Sequence, residues 1–469
     1  MKNKSKLSEF IENPNRSLWR LALPMTLGLF VNSIYVLADL YFVGQIPNGV
    51  GLDASAALGY VMPFYFILVG ITFGLSSGST TVIAQYIGQG RKDKANQSAH
   101  NTLILAVVIG IINLLFIFFL GKAALSLIIN SPSVLELATQ YFNPMAYGSI
   151  FFIFGIFLRG ILIGEGESMI PMYALGVGTI LNIVLDPFFI DKWGIAGAAY
   201  ATIVSQVIVL FIFLYFFLIR QTTYLSLFFK KIDFNFQIWK KIFNIGLPGS
   251  ISMLIMSIGL LIMNSIFLYD VDVASYNLAA RIENFITLTL ISISTSQVTI
   301  VGMFYGAKRF DLIRPIVQYT TFWSIVIVSI FGFIAFFIVD DIAPIFFASD
   351  PSFLGPDKLS DAEITQAING TVSYYKIMFI AFPFLALTMV STRAIQAVGT
   401  AWPMTIVTII RVFILQCGLS YFFIRYLGGE YSSIDWAWYA TAISCIGSGI
   451  IAYLFRLYFL QDKYLEQNN

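Results

Sequence analysis

Apolar stretches of roughly 20 residues or more, separated by short polar breaks, recur along the whole chain. They fall near 20–45, 55–87, 99–121, 136–163, 170–190 and 195–219, and again near 243–268, 274–305, 316–339, 368–397, 402–425 and 436–459. As helices, each is long enough to cross about 30 Å of hydrocarbon. In hydrocarbon every backbone N–H and C=O must pair within its own segment, so these stretches predict helices. A membrane barrel would show alternating strands of about ten residues instead. The pattern predicts about twelve transmembrane helices and an all-α polytopic membrane protein.

The twelve divide into two sets of six that echo each other. The first span enters through Leu23-Pro24 and the seventh through Leu247-Pro248. The second leaves through YIGQGRKD (Tyr86 to Asp93) and the eighth through FYGAKRFD (Phe304 to Asp311). RGILIGEGESMIPM (Arg159 to Met172) follows the fourth, and RAIQAVGTAWPM (Arg393 to Met404) follows the tenth. AAYAT (Ala198 to Thr202) begins the sixth, and AWYAT (Ala437 to Thr441) the twelfth. Four matched points at an offset of roughly 220–240 residues indicate an internal repeat. Six helices per copy give both copies one topology, related by a pseudo-two-fold axis along the membrane normal. That is the plan of a rocking transporter with a cleft between two bundles. The predicted organisation is a first lobe over 1–220 with a short polar tail, a linker over 221–241, and a second lobe over 242–469.

Composition sharpens this reading. Of 469 residues, 58% are hydrophobic, 16% aromatic and only 11% charged. A soluble domain carries roughly 25% charged residues, so this chain cannot cover a water-facing surface. The net charge of +2 says nothing about nucleic acid, and no nucleic-acid partner is expected; the placement of the charges sets topology. With the N-terminus inside, the inner segments collect Arg91, Lys92, Lys94, Arg220, Lys230, Lys231, Lys240, Lys241, Lys308, Arg309 and Arg314. The outer ones hold Lys122, Lys192, Lys358 and Arg425, and the loop after the ninth span is acidic (Asp340, Asp341, Asp350, Asp357, Asp361, Glu363). The bias predicts cytoplasmic termini. The polar N-terminus lacks a small-residue cleavage site and reads as a cytoplasmic tail. Cys417 and Cys445 sit in apolar runs, which indicates neither a disulfide framework nor a zinc site.

Ionisable residues at bilayer depth are functional candidates by default. Asp39 lies well inside the first span. Asp186 lies in LNIVLDPFFI of the fifth, with Asn182 four residues earlier on the same helical face. Pro187 cannot donate a backbone hydrogen bond, so it should kink or end the fifth helix and free a carbonyl. Two carboxylates, an amide and a free carbonyl suit a small hard cation such as Na+. They suit proton exchange equally. The bland alternative is that each Asp only bonds nearby backbone. Lys376 is near enough to its helix end to snorkel. Arg411 is deeper, with a pairing or substrate-facing role, and Arg281 and Glu283 read as a structural network of the second lobe.

Other patterns carry less chemistry. GLSSG (Gly74 to Gly78) matches a nucleophile-elbow pattern but lies within a helix. Gly70, Gly74 and Gly78 form a small-residue stripe suited to close helix packing. His100, the only histidine, reads as a solvated helix-end residue and cannot serve a metal cluster. The 13 methionines and 45 phenylalanines face lipid or core, with some available to line an adaptable cavity.

Pro24, YVLAD (Tyr35 to Asp39), the Gly88/Gly90 turn, RGILIGEGES (Arg159 to Ser168), NIVLDPFFI (Asn182 to Ile190) and GAAYAT (Gly197 to Thr202) together resemble the multidrug and toxic compound extrusion (MATE) family over about residues 15–460. The likeness is strongest to its DinF-type and archaeal branch. It implies two six-helix lobes, a V-shaped central cleft, and export of amphipathic or cationic organic compounds coupled to H+ or Na+, with no other cofactor. It also implies a monomer in a prokaryotic plasma membrane, with lipids and small organic substrates as partners. Carried over by residue, it places the ion at Asp39, Asn182, Asp186 and Thr202, with Tyr35 one turn before Asp39 and helix bending at Pro24 or Pro187. Other branches have an acidic residue within the seventh helix. None lies between Pro248 and Leu268 here, so coupling through the first lobe alone is expected.

Three rivals follow. A lipid-linked oligosaccharide flippase of the same superfamily would share this hydropathy and would need a more cationic cavity, for which Arg411 is the candidate. An intramembrane enzyme would need a nucleophile–base pair or a metal cluster, and with one histidine far from Ser76 none is visible. A channel fits a two-fold repeat with asymmetric acids less well than a carrier.

Overall fold

The computed structural model describes residues 5–46, 50–227, 234–348, 360–427 and 433–467. Its first six long helices are α1 (Pro14–Gly44), α2 (Val50–Gly88), α3 (Lys92–Ile128), α4 (Pro132–Gly164), α5 (Met169–Trp193) and α6 (Ile195–Arg220). The second six are α7 (Phe236–Ile266), α8 (Asp270–Gly306), α9 (Phe310–Ala348), α10 (Asp361–Met378 with Phe382–Ala397), α11 (Trp402–Leu427) and α12 (Ser433–Phe459). Eleven are long and apolar enough to cross a membrane singly. The two parts of α10, bent by 66°, make the twelfth when taken as one span. Lys230, Lys231 and Ile232 of the linker, and Asp350, Asp357 and Lys358 of the acidic loop, lie outside the described residues.

The helices outrun the apolar stretches that predict them. α7 begins at Phe236, inside the stretch read as linker, because Asn235 accepts hydrogen bonds from the amides of Gln237 and Ile238. Such a cap starts a helix whatever its polarity, and Lys240 and Lys241 then extend it beyond the hydrophobic run. The α10 bend falls just before Pro383, which lies in the first turn of the second part and cannot donate to the carbonyl four residues back.

Buried apolar side chains fall into three clusters. One, with Val43, Leu58, Phe142 and Ile195, belongs to the first six helices, and another, with Met263, Tyr375, Phe382 and Trp438, to the second six. The third draws Leu75 and Phe157 together with Val301 and Phe304, and includes Phe10 and Leu465 from the short helices at the two termini. The two lobes therefore share one core near the end that carries the termini and keep separate cores toward the other end. Among the described residues the shared cluster joins the lobes at that end, Phe30 of α1 stacks on Phe285 of α8 at 6.0 Å farther along, and the far ends keep separate cores and are free to part.

The glycine stripe of α2 belongs to this junction. A Cβ on Gly74 would lie 2.2 Å from the backbone N of Ser250, and one on Gly78 would lie 2.5 Å from the carbonyl O of Ile242. The small residues let α2 and α7 touch backbone to backbone.

At the terminal end, Glu165 between α4 and α5 is buried. Its Oε2 accepts the Leu225 amide at 2.9 Å, which ties down the segment that follows α6. Lys6 donates to the Gly166 carbonyl at 2.9 Å and to Glu167 at 2.8 Å, adding the N-terminal segment. Burial pushes the Glu165 carboxyl up to about 8 from 4.5, against the lowering effect of the Leu225 and Tyr224 amides and Lys6 and with a smaller raising effect from Glu167. A group raised in the fold stabilises it fully below its unfolded value and loses that contribution as pH rises through the folded one. Glu165 should therefore weaken the fold between pH 4.5 and about 8 and flatten above. Glu165→Gln keeps an acceptor for Leu225 and removes the titration. We expect apparent Tm of the variant in detergent to exceed wild type at pH 8.5 and to match it at pH 4.5. Parallel profiles for the two proteins would refute this account.

Candidate functional site

The predicted ion-coupling residues converge in the first lobe. Tyr35 and Asp39 come from α1, Asn182 and Asp186 from α5, and Thr202 from α6. Asp39, Asn182, Asp186 and Thr202 are buried. The four-residue spacing on α5 brings the Asn182 Nδ2 to 3.2 Å from Asp186 Oδ1. The same amide donates to Thr202 Oγ1 at 3.3 Å, across to α6. Asp39 Oδ2 accepts from the Tyr141 hydroxyl of α4 at 3.4 Å, a long bond. Asp39 and Asp186 are near enough to interact electrostatically, and Tyr35 shares a hydrogen bond with Tyr65 of α2.

What the site leaves over matters more. Asp39 Oδ1, Thr179 Oγ1, Asn182 Oδ1 and Asp186 Oδ2 are all buried and lack a protein partner. Buried polar atoms are usually paired, so four such oxygens on two adjacent helices call for an explanation. Beside them is a cavity of about 10 Å³, lined by Asn32, Tyr35, Thr179, Asn182, Thr202 and Gln206 among others. That is room for about one water or small ion. Asp39 and Asp186 are not part of its lining. The donor set is all oxygen with two carboxylates, which fits a hard monovalent cation or a proton and not a soft metal. Among the described residues, no group of three or more His, Cys, Asp or Glu side chains could hold a metal ion.

Both prolines lie inside helices that continue. α5 runs through Pro187 to Trp193 and does not end there, because the residues that follow are good membrane-helix formers. α1 runs through Pro24, and the carbonyl of Arg20, which Pro24 cannot bond, accepts from Ser168 Oγ at 3.3 Å. That bond ties the bend point of α1 to the loop before α5.

Sequence reading missed Tyr141, Tyr65 and Thr179. Thr179 stands seven residues before Asp186 and three before Asn182 on the same α5 face, a spacing that could have found it, whereas Tyr65 and Tyr141 are brought in only by the packing of α2 and α4 against α1. His100 is half-buried within α3 and not a solvated end residue, because α3 begins at Lys92, well before the apolar run.

The second lobe holds a separate charged cluster. Arg411 of α11 sits in the field of Glu283 and Tyr276 of α8, Tyr374 of α10 and Cys445 of α12. Its Nε is buried without a partner. Glu283 accepts a hydrogen bond from the Tyr374 hydroxyl, and Gln416 Nε2 donates to Tyr276 at 3.2 Å. Lys376 is exposed near the end of its helix segment. The repeat arginines lie against α2 from both sides. Arg159 stands over the Phe73 ring at 4.6 Å, and Arg393 donates to Ser77 Oγ at 2.9 Å and to Gln396 at 2.8 Å.

The model of the family MatE matches residues 24–188 and 248–422, one match in each half. The chain is 24% identical over 427 residues to the probable multidrug resistance protein NorM of Thermotoga maritima, covering 89% of this chain and 87% of that protein. It is 24% identical over 322 residues to the probable multidrug resistance protein YoeA of Bacillus subtilis, covering 64% and 68%. A solved structure described as the outward-facing conformation of a multidrug resistance MATE family transporter superposes with a TM-score of 0.90 at 24% identity, over 98% of this chain and 99% of the other.

Proposed function

The chain belongs to the MatE family of membrane transporters, and on that premise we propose that it is an antiporter exporting amphipathic or cationic organic compounds in exchange for H+ or Na+. The observation that carries this reading is the set of four unpartnered buried oxygens around Asp39 and Asp186. An isolated carboxylate oxygen in an apolar bundle is costly unless something neutralises it. A proton or Na+ gives these oxygens the partner that the protein withholds.

The Lys and Arg distribution supports both termini in the cytoplasm, so the shared core closes the cytoplasmic side and the separate cores flank a cleft open to the outside. In the proposed cycle an ion enters from outside and binds between α1 and α5. Asp39 and Asp186 draw together across it, and α1 yields near Pro24, where one backbone hydrogen bond is already missing. The cleft wall changes and substrate leaves outward. On the inward swing the ion is released to the cytoplasm and new substrate binds. Each ligand shifts the balance only by its differential affinity for the two states. Arg159 and Arg393 are engaged by α2 and Arg411 lies in the field of Glu283, which leaves thin support for a pyrophosphate-bearing lipid, so the flippase reading ranks second.

Proteoliposomes loaded with ethidium test this directly, with Na+ and H+ gradients imposed separately. Export driven by one gradient and not the other is expected, and it identifies the ion. If neither gradient moves any of several cationic dyes, the antiporter reading gives way to lipid-linked substrates.

A further inference from the structure

At the end of the second lobe away from the termini, α7 and α11 part to leave a groove of about 610 Å³. That is within the range of roughly 300–1,000 Å³ typical of ligand sites. Its floor is apolar: Ile262 and Ile266 from α7, Phe413 and Cys417 from α11. Its rims come from the same two helices. Ser265 stands on the α7 side, and Gly418, Tyr421 and Arg425 run along α11. Tyr421 is exposed, and so are Ile258 and Leu261 farther along α7 and Ile414 on α11, so the groove lies on an outer face that hydrocarbon suits.

The α11 wall is wound unusually. After α-helix over Trp402–Ile409, Ile410–Gly418 and Phe423–Leu427 are π-helical with Leu419–Phe422 α-helical between them, and shorter π segments occur at Ile117–Gly121 and Tyr215–Arg220 in the first lobe. π-turns are rare and concentrate at functional sites, since they give up regular packing for a displaced side chain. Here the second π-turn carries Arg425 at the mouth of the groove. Arg425 is exposed, and none of the ion pairs among the described residues includes it. Tyr421 and Tyr426 are exposed beside it, with Phe422 and Tyr426 in ring contact at 5.4 Å, as in the aromatic belt where helices meet headgroups.

We propose that this groove binds one anionic phospholipid of the outer leaflet, an acyl chain lying on Ile262, Ile266 and Phe413 and the phosphate on Arg425. The two features must be met together. A soluble phosphate would leave the apolar floor unused, and a cationic amphiphile would set its charge against Arg425. The planar guanidinium is the side chain best matched to phosphate oxygens. The outer leaflet follows from the orientation proposed above, but binding itself does not depend on it. The site is in the lobe opposite the ion-coupling residues, so its failure would leave the antiporter reading standing.

The test is lipid retention. Full-length protein in detergent is incubated with equimolar phosphatidylglycerol and phosphatidylcholine of identical chains, and the lipids retained after gel filtration are counted by mass spectrometry. Wild type should retain phosphatidylglycerol about fivefold over phosphatidylcholine, the discrimination one basic residue near a headgroup supplies. Arg425→Glu should abolish the preference and Arg425→Lys should keep most of it. Ser265→Phe, which fills the groove from an exposed position, should abolish it too, with Tm measured alongside to verify folding. Equal retention of both lipids by wild type, or an undiminished preference in folded Arg425→Glu, overturns the proposal.

Discussion

Asp39→Asn is expected to reduce ion-driven export to the level of empty vesicles while the protein folds and still binds its substrates. Asn has the shape of Asp and retains an oxygen for the Tyr141 hydroxyl, so the α1–α4 contact survives. The change removes the charge that holds an ion between α1 and α5. Asp39 Oδ1 has no protein partner to lose, and removing a buried, uncompensated carboxylate leaves the fold as stable or more so. Export should therefore fall by two orders of magnitude or more without a fall in Tm, since a gradient drives only a carrier whose two states differ in ion affinity.

The neighbours should grade this effect. Asp186→Asn should resemble Asp39→Asn, and the double variant should be no worse than either, because groups that act on one ion as a unit are not additive. Asn182→Ala removes the donor shared by Asp186 and Thr202 and should weaken ion dependence without abolishing export. The measurements are dye export under each gradient, dye binding by fluorescence, and Tm. Full coupled export by Asp39→Asn would move the coupling site elsewhere in the molecule, with the cluster of Arg411 and Glu283 next to be examined.

How much of this was legible in the sequence depends on which physical constraint was at work. The bilayer imposes length and apolarity on every span, so the helices could be read from hydropathy and their two-fold repeat from four punctuation motifs. The bilayer does not govern helix ends outside it. There the Asn235 cap and the polar first turn of α7 decide, and the helix begins at Phe236, inside the stretch that the apolar run leaves to the linker. The α10 bend has its signal in Pro383, which hydropathy hides within an otherwise continuous apolar run. At the site, Asn182 and Asp186 were legible because their relation is local, four residues on one helix. Tyr141 reaches Asp39 across 102 residues, and no spacing encodes that. Glu165 lies in a recognised repeat motif, but its partner, the Leu225 amide, is 60 residues away in sequence, and no local spacing signals it.

Placing a side chain at Gly306 should disable the transporter by a different route, through the seam between the lobes. Gly306 ends α8 and Gly88 ends α2, at matching points of the two repeats. A Cβ on Gly306 would lie 2.0 Å from the carbonyl O of Gln85, and one on Gly88 would lie 2.1 Å from the carbonyl O of Met303. The contact is reciprocal, as the pseudo-two-fold requires, and its partners are backbone atoms that no rotamer change can move aside. Gly306→Val must therefore push α8 from α2 and open the core that joins the lobes at the terminal end. Overpacking of this kind costs roughly 1–3 kcal/mol or more. Apparent Tm should fall by several degrees, and export should fall with it, since the closed side can no longer close. Gly59→Ala is the control: it lies within α2, nothing stands within 4 Å of its added Cβ, and Gly to Ala inside a helix gains about 0.5–1 kcal/mol. Its Tm should hold or rise with export unchanged. The two substitutions thus predict opposite signs on one helix pair. Wild-type Tm and export in Gly306→Val would mean that the lobes do not meet at this seam.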